Sequence, residues 1–209
     1  MEAIKRPFSD ITKLVIGIVV MLIPIVNILG IGYLIRCAKL TFKKDASLPE
    51  WTDWVNMFVT GIFVLIIGLI WAIPVMLVAG VTVGSVLVSA APMIAAGNMP
   101  GFAAAIAASA GTLLIGFAIA LVVGLIIGLM ASVGILRYAE KGTFGAAFEF
   151  GAIKNIAFRG DYIAAFVVGL IYTVVVTLIL SFIPFIGGAI ASFITSVALY
   201  TMLAEAYKG

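Results

Sequence analysis

Histidine is absent from this chain, and cysteine occurs once, at Cys37. The first absence removes any Ser-His-Asp or Cys-His pair and any zinc or haem site built on imidazole. The second removes a disulfide within one chain. Charge is scarce as well: 10% of the residues are charged, against about 25% in a soluble domain. What is present is hydrocarbon. The chain is 65% hydrophobic, with a mean hydropathy of +1.33. A domain of this length still exposes about 30% of its unfolded-chain surface, so lipid, not water, is the expected solvent. Backbone groups in lipid must pair internally, which leaves helices or a closed barrel. Barrel strands alternate polar and apolar residues, whereas residues 62–67 (IFVLII) and 121–127 (LVVGLII) do not. The sequence therefore predicts an all-α, polytopic membrane bundle of about five or six hydrophobic helical segments, folded as a single membrane domain over 1–209.

The charges fall in four clusters, 2–13, 36–53, 137–161 and 205–208, separated by uncharged runs of 22, 83 and 43 residues. The net charge is only +3, and the basic residues flank apolar runs. Topology explains them better than a nucleic-acid partner. Placing all four clusters on the cytoplasmic side of the cell (inner or plasma) membrane makes each run leave and return, with both termini cytoplasmic. No cleavable signal is expected, because residues 22–33 have no small-x-small site.

Residues 162–183 go out, Pro184 and the glycines after it turn the chain, and 189–207 return. In the long run, 54–78 is read as an outward helix that Pro74 kinks or ends. Residues 111–136 are the returning helix, with short interfacial helices over 79–110 or, alternatively, an extra hairpin. Residues 14–35 are read as a helical hairpin, 14–23 entering, 24–27 turning and 28–36 returning; the alternative is one crossing kinked at Pro24. The expected helix breaks are thus Pro24, Pro74 and Pro184.

An internal parallel repeat is also predicted, with halves at 14–80 and 111–183 and a C-terminal helix at 184–207. Asp53-Trp54-Val55 aligns with Asp161-Tyr162-Ile163, and Ile35-Arg36 with Leu136-Arg137. The shared unit is helix, polar loop, helix, with both loops on one side.

Gly32-Tyr33-Leu34-Ile35-Arg36, Leu48-Pro49-Glu50-Trp51 and Asp53-Trp54 form a pattern, joined by Ala146-Ala147-Phe148 and Ile183-Pro184-Phe185-Ile186-Gly187. Together they resemble an uncharacterised polytopic membrane family, domain of unknown function 4013, found mostly in archaea and some bacteria. The resemblance covers nearly the whole chain. It implies several membrane helices and an archaeal source, and transfers no activity.

Leu48-Pro49-Glu50-Trp51 is read as a proline-led helix start, with Trp51 and Trp54 sharing a face at headgroup height. Arg36 and Arg137 end apolar runs, and Asp53 and Asp161 begin the next ones. These six residues are the expected interface anchors, with Arg36–Asp53 and Arg137–Asp161 as pairs that close each loop. Residues 143–158 are expected to lie on the membrane as one amphipathic helix. Gly116, Ala120, Gly124, Gly128 and Ser132 form a small-xxx-small stripe for close helix packing.

The uncharged runs lack the ionisable groups that ion-coupled transporters place in their spans, and no metal-spaced carboxylate cluster is present. No cofactor and no enzymatic activity are expected. The reading is a non-enzymatic membrane scaffold or accessory subunit that meets lipids, other membrane proteins or copies of itself. The alternative is a channel or facilitator for a small neutral or lipid-like solute. A lipid-headgroup enzyme using Glu50, Asp53, Glu149 or Asp161 ranks third.

Overall fold

The computed structural model describes residues 2–209, and among them it is all-helical, with no strand. The helices are α1 (Glu2–Lys5), α2 (Ile11–Leu22), α3 (Asn27–Phe42), α4 (Trp54–Ala95), α5 (Met99–Ala108), α6 (Ala110–Lys141), α7 (Phe150–Ala157), α8 (Gly160–Leu180) and α9 (Gly187–Lys208). Four of them, α4, α6, α8 and α9, are long and apolar enough to cross a membrane. These four and the arms α2 and α3 supply the expected helical segments. The chain forms two compact units, one holding everything up to Gly68 plus Leu129–Gly209, the other Leu69–Gly128.

In the first unit α9 is the central element. In its most apolar stretch 61% of residues are buried, against 6% for α8. Helices α8, α3, α2 and α1 pack around it. Small residues set the approach. A Cβ at Gly17 would enter the Phe193 ring, and one at Gly169 would lie 2.4 Å from Leu199. The crossing of α3 and α4 is tighter, since a Cβ at Gly32 would lie 1.9 Å from the Met57 carbonyl oxygen.

Residues 14–35 fold as the hairpin. Asp10 caps α2 by accepting the Lys13 backbone N–H at 3.1 Å, and the chain turns at Ile23–Val26 into α3. The α8–α9 turn repeats this conformation. Ile25 and Phe185, each following a proline, have φ of 72° and 67°. In both turns the residue four after the isoleucine donates back to it: Asn27 N–H to Ile23 O at 3.0 Å, and Gly187 N–H to Ile183 O at 3.1 Å. Pro24 and Pro184 therefore sit in real breaks.

Pro74 does not break its helix. α4 runs through it and through Pro92 to Ala95, so residues 79–95 continue α4 where short interfacial helices were expected. Pro74 removes only the N–H that would reach the Ile70 carbonyl, and the apolar residues around it leave the backbone no better option than continuing the helix. Gly97 ends α4 at φ 62°. Its N–H donates to Ile94 O at 3.0 Å and that of Asn98 to Met93 O at 2.9 Å, the bond pair of a Schellman ending. Asn98 then caps α5 through the Gly101 N–H at 2.9 Å.

The second unit holds no charged residue. Trp71, Val86 and Ala90 are buried, and Gly116 of α6 lies against Thr82, whose Cγ2 would be 2.1 Å from an added Cβ. The hydroxyls of Thr82, Ser85, Ser89 and Ser109 all donate to carbonyls of their own helix or its cap.

Candidate functional site at the polar end

Helix α3 ends on Lys44, at φ 61°. Its N–H donates to Thr41 O at 2.9 Å, and the Asp45 N–H to Leu40 O at 3.0 Å. From there to Asp53 the chain has no helix. The expected start at Leu48-Pro49 is not seen; α4 begins at Trp54. The reason is tertiary. A run without helix needs other donors for its carbonyls, and side chains from three neighbouring elements supply them. Arg6 donates to Ser47 O at 2.8 Å, Lys13 to Leu48 O at 2.9 Å and Tyr33 to Pro49 O at 3.0 Å. Arg36 donates to Thr52 O at 2.6 Å and Asp53 O at 3.2 Å.

Trp51 closes this loop from the inside. It is 8% exposed and stacks on Tyr33, with centroids 4.0 Å apart and planes 9° apart. Its indole N–H donates to Lys13 O at 3.1 Å. Trp51 is thus a core residue and shares no outward helix face with Trp54, which is 44% exposed. The two rings still lie 5.8 Å apart.

Arg6 is buried at 3% exposure. Besides Ser47 O it donates to Thr41 Oγ1 at 2.6 Å and Thr201 Oγ1 at 2.9 Å. No carboxylate pairs with it among the described residues, and its Nε has no partner. Lys13 pairs with Glu50 at 2.7 Å and Asp10 at 3.6 Å. The Lys13 backbone N–H holds the Asp10 carboxyl below its ordinary range, and the Ser47 N–H does the same for Asp45.

Of the expected loop-closing pairs, Arg36–Asp53 forms, at 3.4 Å. Arg137–Asp161 does not. Arg137 bonds Glu149, and Asp161 bonds Arg159 at 2.6 Å. The cause lies in residues 143–158, which do not make one helix. They split into a 3-10 turn, Phe144–Phe148, and α7, and the break falls at Glu149. That places Glu149 under Arg137 and Lys141, which bonds it at 2.9 Å. Lys141 first, then Arg137, lowers its pKa. Arg159, at the start of α8, sits beside Asp161 and also donates to Ala206 O. Of the small-residue stripe, Gly116 meets Thr82, an added Cβ at Gly124 would meet nothing within 4 Å, and Ala120 and Gly128 are half-buried. The Ser132 hydroxyl shares a 2.8 Å hydrogen bond with that of Tyr162.

All four charge clusters therefore meet at one end of the first unit. Arg6 reaches Ser47 and Thr201, Lys13 reaches Glu50, Lys208 pairs with Glu140, and Lys208 lies over the Phe42 ring. Sequence reasoning did not single out Arg6 or Lys13 as holding this loop. Their place among basic residues near the N-terminus gives no sign of burial. Among the described residues no group of three or more side chains is arranged to hold a metal ion.

A model of a family of proteins of unknown function, DUF4013, matches residues 15–185. The chain belongs to this family. In this DUF4013 protein the match covers all of the second unit and the first proline turn, and stops inside the second turn, before α9. No curated protein and no solved structure matches the chain.

Proposed function

We propose that this membrane protein is a non-enzymatic scaffold or accessory subunit, and that it docks a second copy or another membrane protein through the Leu69–Gly128 unit. One observation carries the reading. This unit has no charge, and large apolar side chains such as Val81, Val88, Leu114 and Phe117 are about 70% or more exposed. Its part of α4, residues 69–95, has a contour of about 40 Å at 1.5 Å per residue, against a hydrocarbon layer of about 30 Å. Apolar surface beyond that layer calls for a protein neighbour. The open face at Gly124 gives a helix room to approach. Mass measurement of the protein in nanodiscs tests this: an oligomer or a co-purifying membrane protein is expected, and a bare single chain goes against it.

The second reading is a facilitator for a small neutral or lipid-like solute. The two proline turns of matching conformation favour it. Solute flux into liposomes carrying the purified protein alone would favour this reading; a tight bilayer favours the scaffold.

In the cell we place the polar end on the cytoplasmic side, following the basic residues. In a Cys37→Ser background, Lys5→Cys and Lys208→Cys should both label only from the inside of sealed cells. Labelling of either from outside overturns the orientation.

A further inference from the structure

Two hollows of the polar end differ in character. One, of about 650 Å³, is lined by Arg6, Lys44 and Lys208 but also by Glu2, Asp45 and Glu205, so its charges balance. The other, of about 520 Å³, runs between the end of α3 and the loop. It is lined by Lys13, Arg36, Lys39 and Lys43, with Glu50 as its one acid.

Two of these cations are already committed. Lys13 bonds Glu50 and Asp10, and Arg36 bonds Asp53 and two loop carbonyls. The side chains of Lys39 and Lys43 have no hydrogen bond or ion pair among the described residues. They stand one helical turn apart, where Cβ atoms are about 5–6 Å from each other and like charges repel. Arg36 lies on the same face, three residues before Lys39. The same two lysines line an adjoining hollow of about 410 Å³ that also holds Lys141, Lys208 and one acid, Glu140, which is paired with Lys208. An anion placed between the two ammonium groups relieves their repulsion. The groove wall is amphipathic, since Leu40, Leu48 and Pro49 line it beside the charges. It also lies at the border between apolar helices and the charged loops, the depth of a lipid headgroup.

We propose that this groove holds the phosphodiester of an anionic membrane phospholipid, with Lys39 and Lys43 as its direct contacts and Arg36 flanking them. Arg36 and Lys13, fixed by the loop, hold the groove open before the lipid arrives. The apolar wall takes the glycerol end.

The test is native mass spectrometry of the full chain in detergent, titrated with short-chain phosphatidylglycerol, phosphatidylcholine or inorganic phosphate. A single tightly held phosphatidylglycerol is expected, with much weaker phosphatidylcholine adducts. At about a five- to sixfold loss per lysine the double variant Lys39→Gln/Lys43→Gln should bind phosphatidylglycerol about 30-fold more weakly. Lys5→Gln/Lys154→Gln, which removes equal charge elsewhere, should bind as the unaltered chain does. Equal retention of the two lipids, or no loss in the Lys39/Lys43 variant, overturns the proposal. Displacement of the lipid by an equal concentration of inorganic phosphate overturns the lipid as its occupant. Thermal unfolding separates a role in folding: in phosphatidylcholine nanodiscs the Lys39/Lys43 variant should melt at or above the unaltered chain. A fall there as large as in phosphatidylglycerol nanodiscs assigns the lysines to the fold and overturns the site.

Discussion

The two compact units solve the same problem in opposite ways. The first builds a dense interior around α9 and ties its polar end with side chains that reach across elements, such as Arg6, Lys13 and Arg36. The second has no charge, and the hydroxyls of Thr82, Ser85, Ser89 and Ser109 bond to backbone of their own segment. Polar and aromatic side chains therefore specify the first unit, whereas backbone helicity and the surrounding medium hold the second. A helix in lipid satisfies its own backbone and needs little else; a helixless loop needs named partners.

The largest expected effect breaks this contrast at a glycine. Gly32→Leu would drive a side chain into the Met57 backbone and should abolish a folded product, as seen by size exclusion. Gly124→Ala, in the second unit, meets nothing within 4 Å and should leave the melting temperature unchanged. Equal damage from both would erase the distinction. Aromatics give the next largest effect. Trp51→Ala should destabilise the first unit by about 3–5 kcal/mol, whereas Phe117→Ala, 69% exposed in the second, should cost little in denaturant unfolding. A large cost at Phe117 in the assembled protein would place that ring in the docking contact proposed for this unit.

The C-caps sharpen the comparison at about 1 kcal/mol. Both units end a helix on a left-handed residue, Lys44 in the first and Gly97 in the second. Left-handed backbone disfavours a Cβ by about 1–2 kcal/mol, so Lys44→Gly should raise stability and Gly97→Ala lower it, each by about 1 kcal/mol in chemical denaturation.

The smallest effect is a pH dependence. Lys141 and Arg137 depress the Glu149 carboxyl from its ordinary 4.5. A depressed carboxyl contributes stability above its unfolded pKa and loses it as the pH falls through the folded value. Hydrogen exchange should therefore show residues 137–157 loosening below about pH 4.5, an effect weakened in Glu149→Gln. The second unit has no carboxylate side chain to titrate. Its protection should stay level over the same range.

Much of this was legible in the chain. The uncharged runs marked the helices, and Pro24 and Pro184, each set between apolar residues and followed by Asn27 or Gly187, marked the turns. Pro74 misled because a local rule for helix ends takes no account of lipid. Trp51 misled because Lys13 and Tyr33, distant in sequence, draw its loop inward and delay the helix to Trp54. The partner of Arg137 was hidden for the same reason: only the break at Glu149 brings that carboxylate within reach.

Cys37 lies at zero exposure in the core that Tyr33, Trp51 and Phe193 close. As the chain's sole thiol it is a native stopwatch. A thiol reagent added to the unaltered protein can react only when that core opens, so the reaction rate times the opening of the first unit without an engineered probe. Any agent that stiffens the polar end should slow that clock, and any that unpicks the loop should speed it.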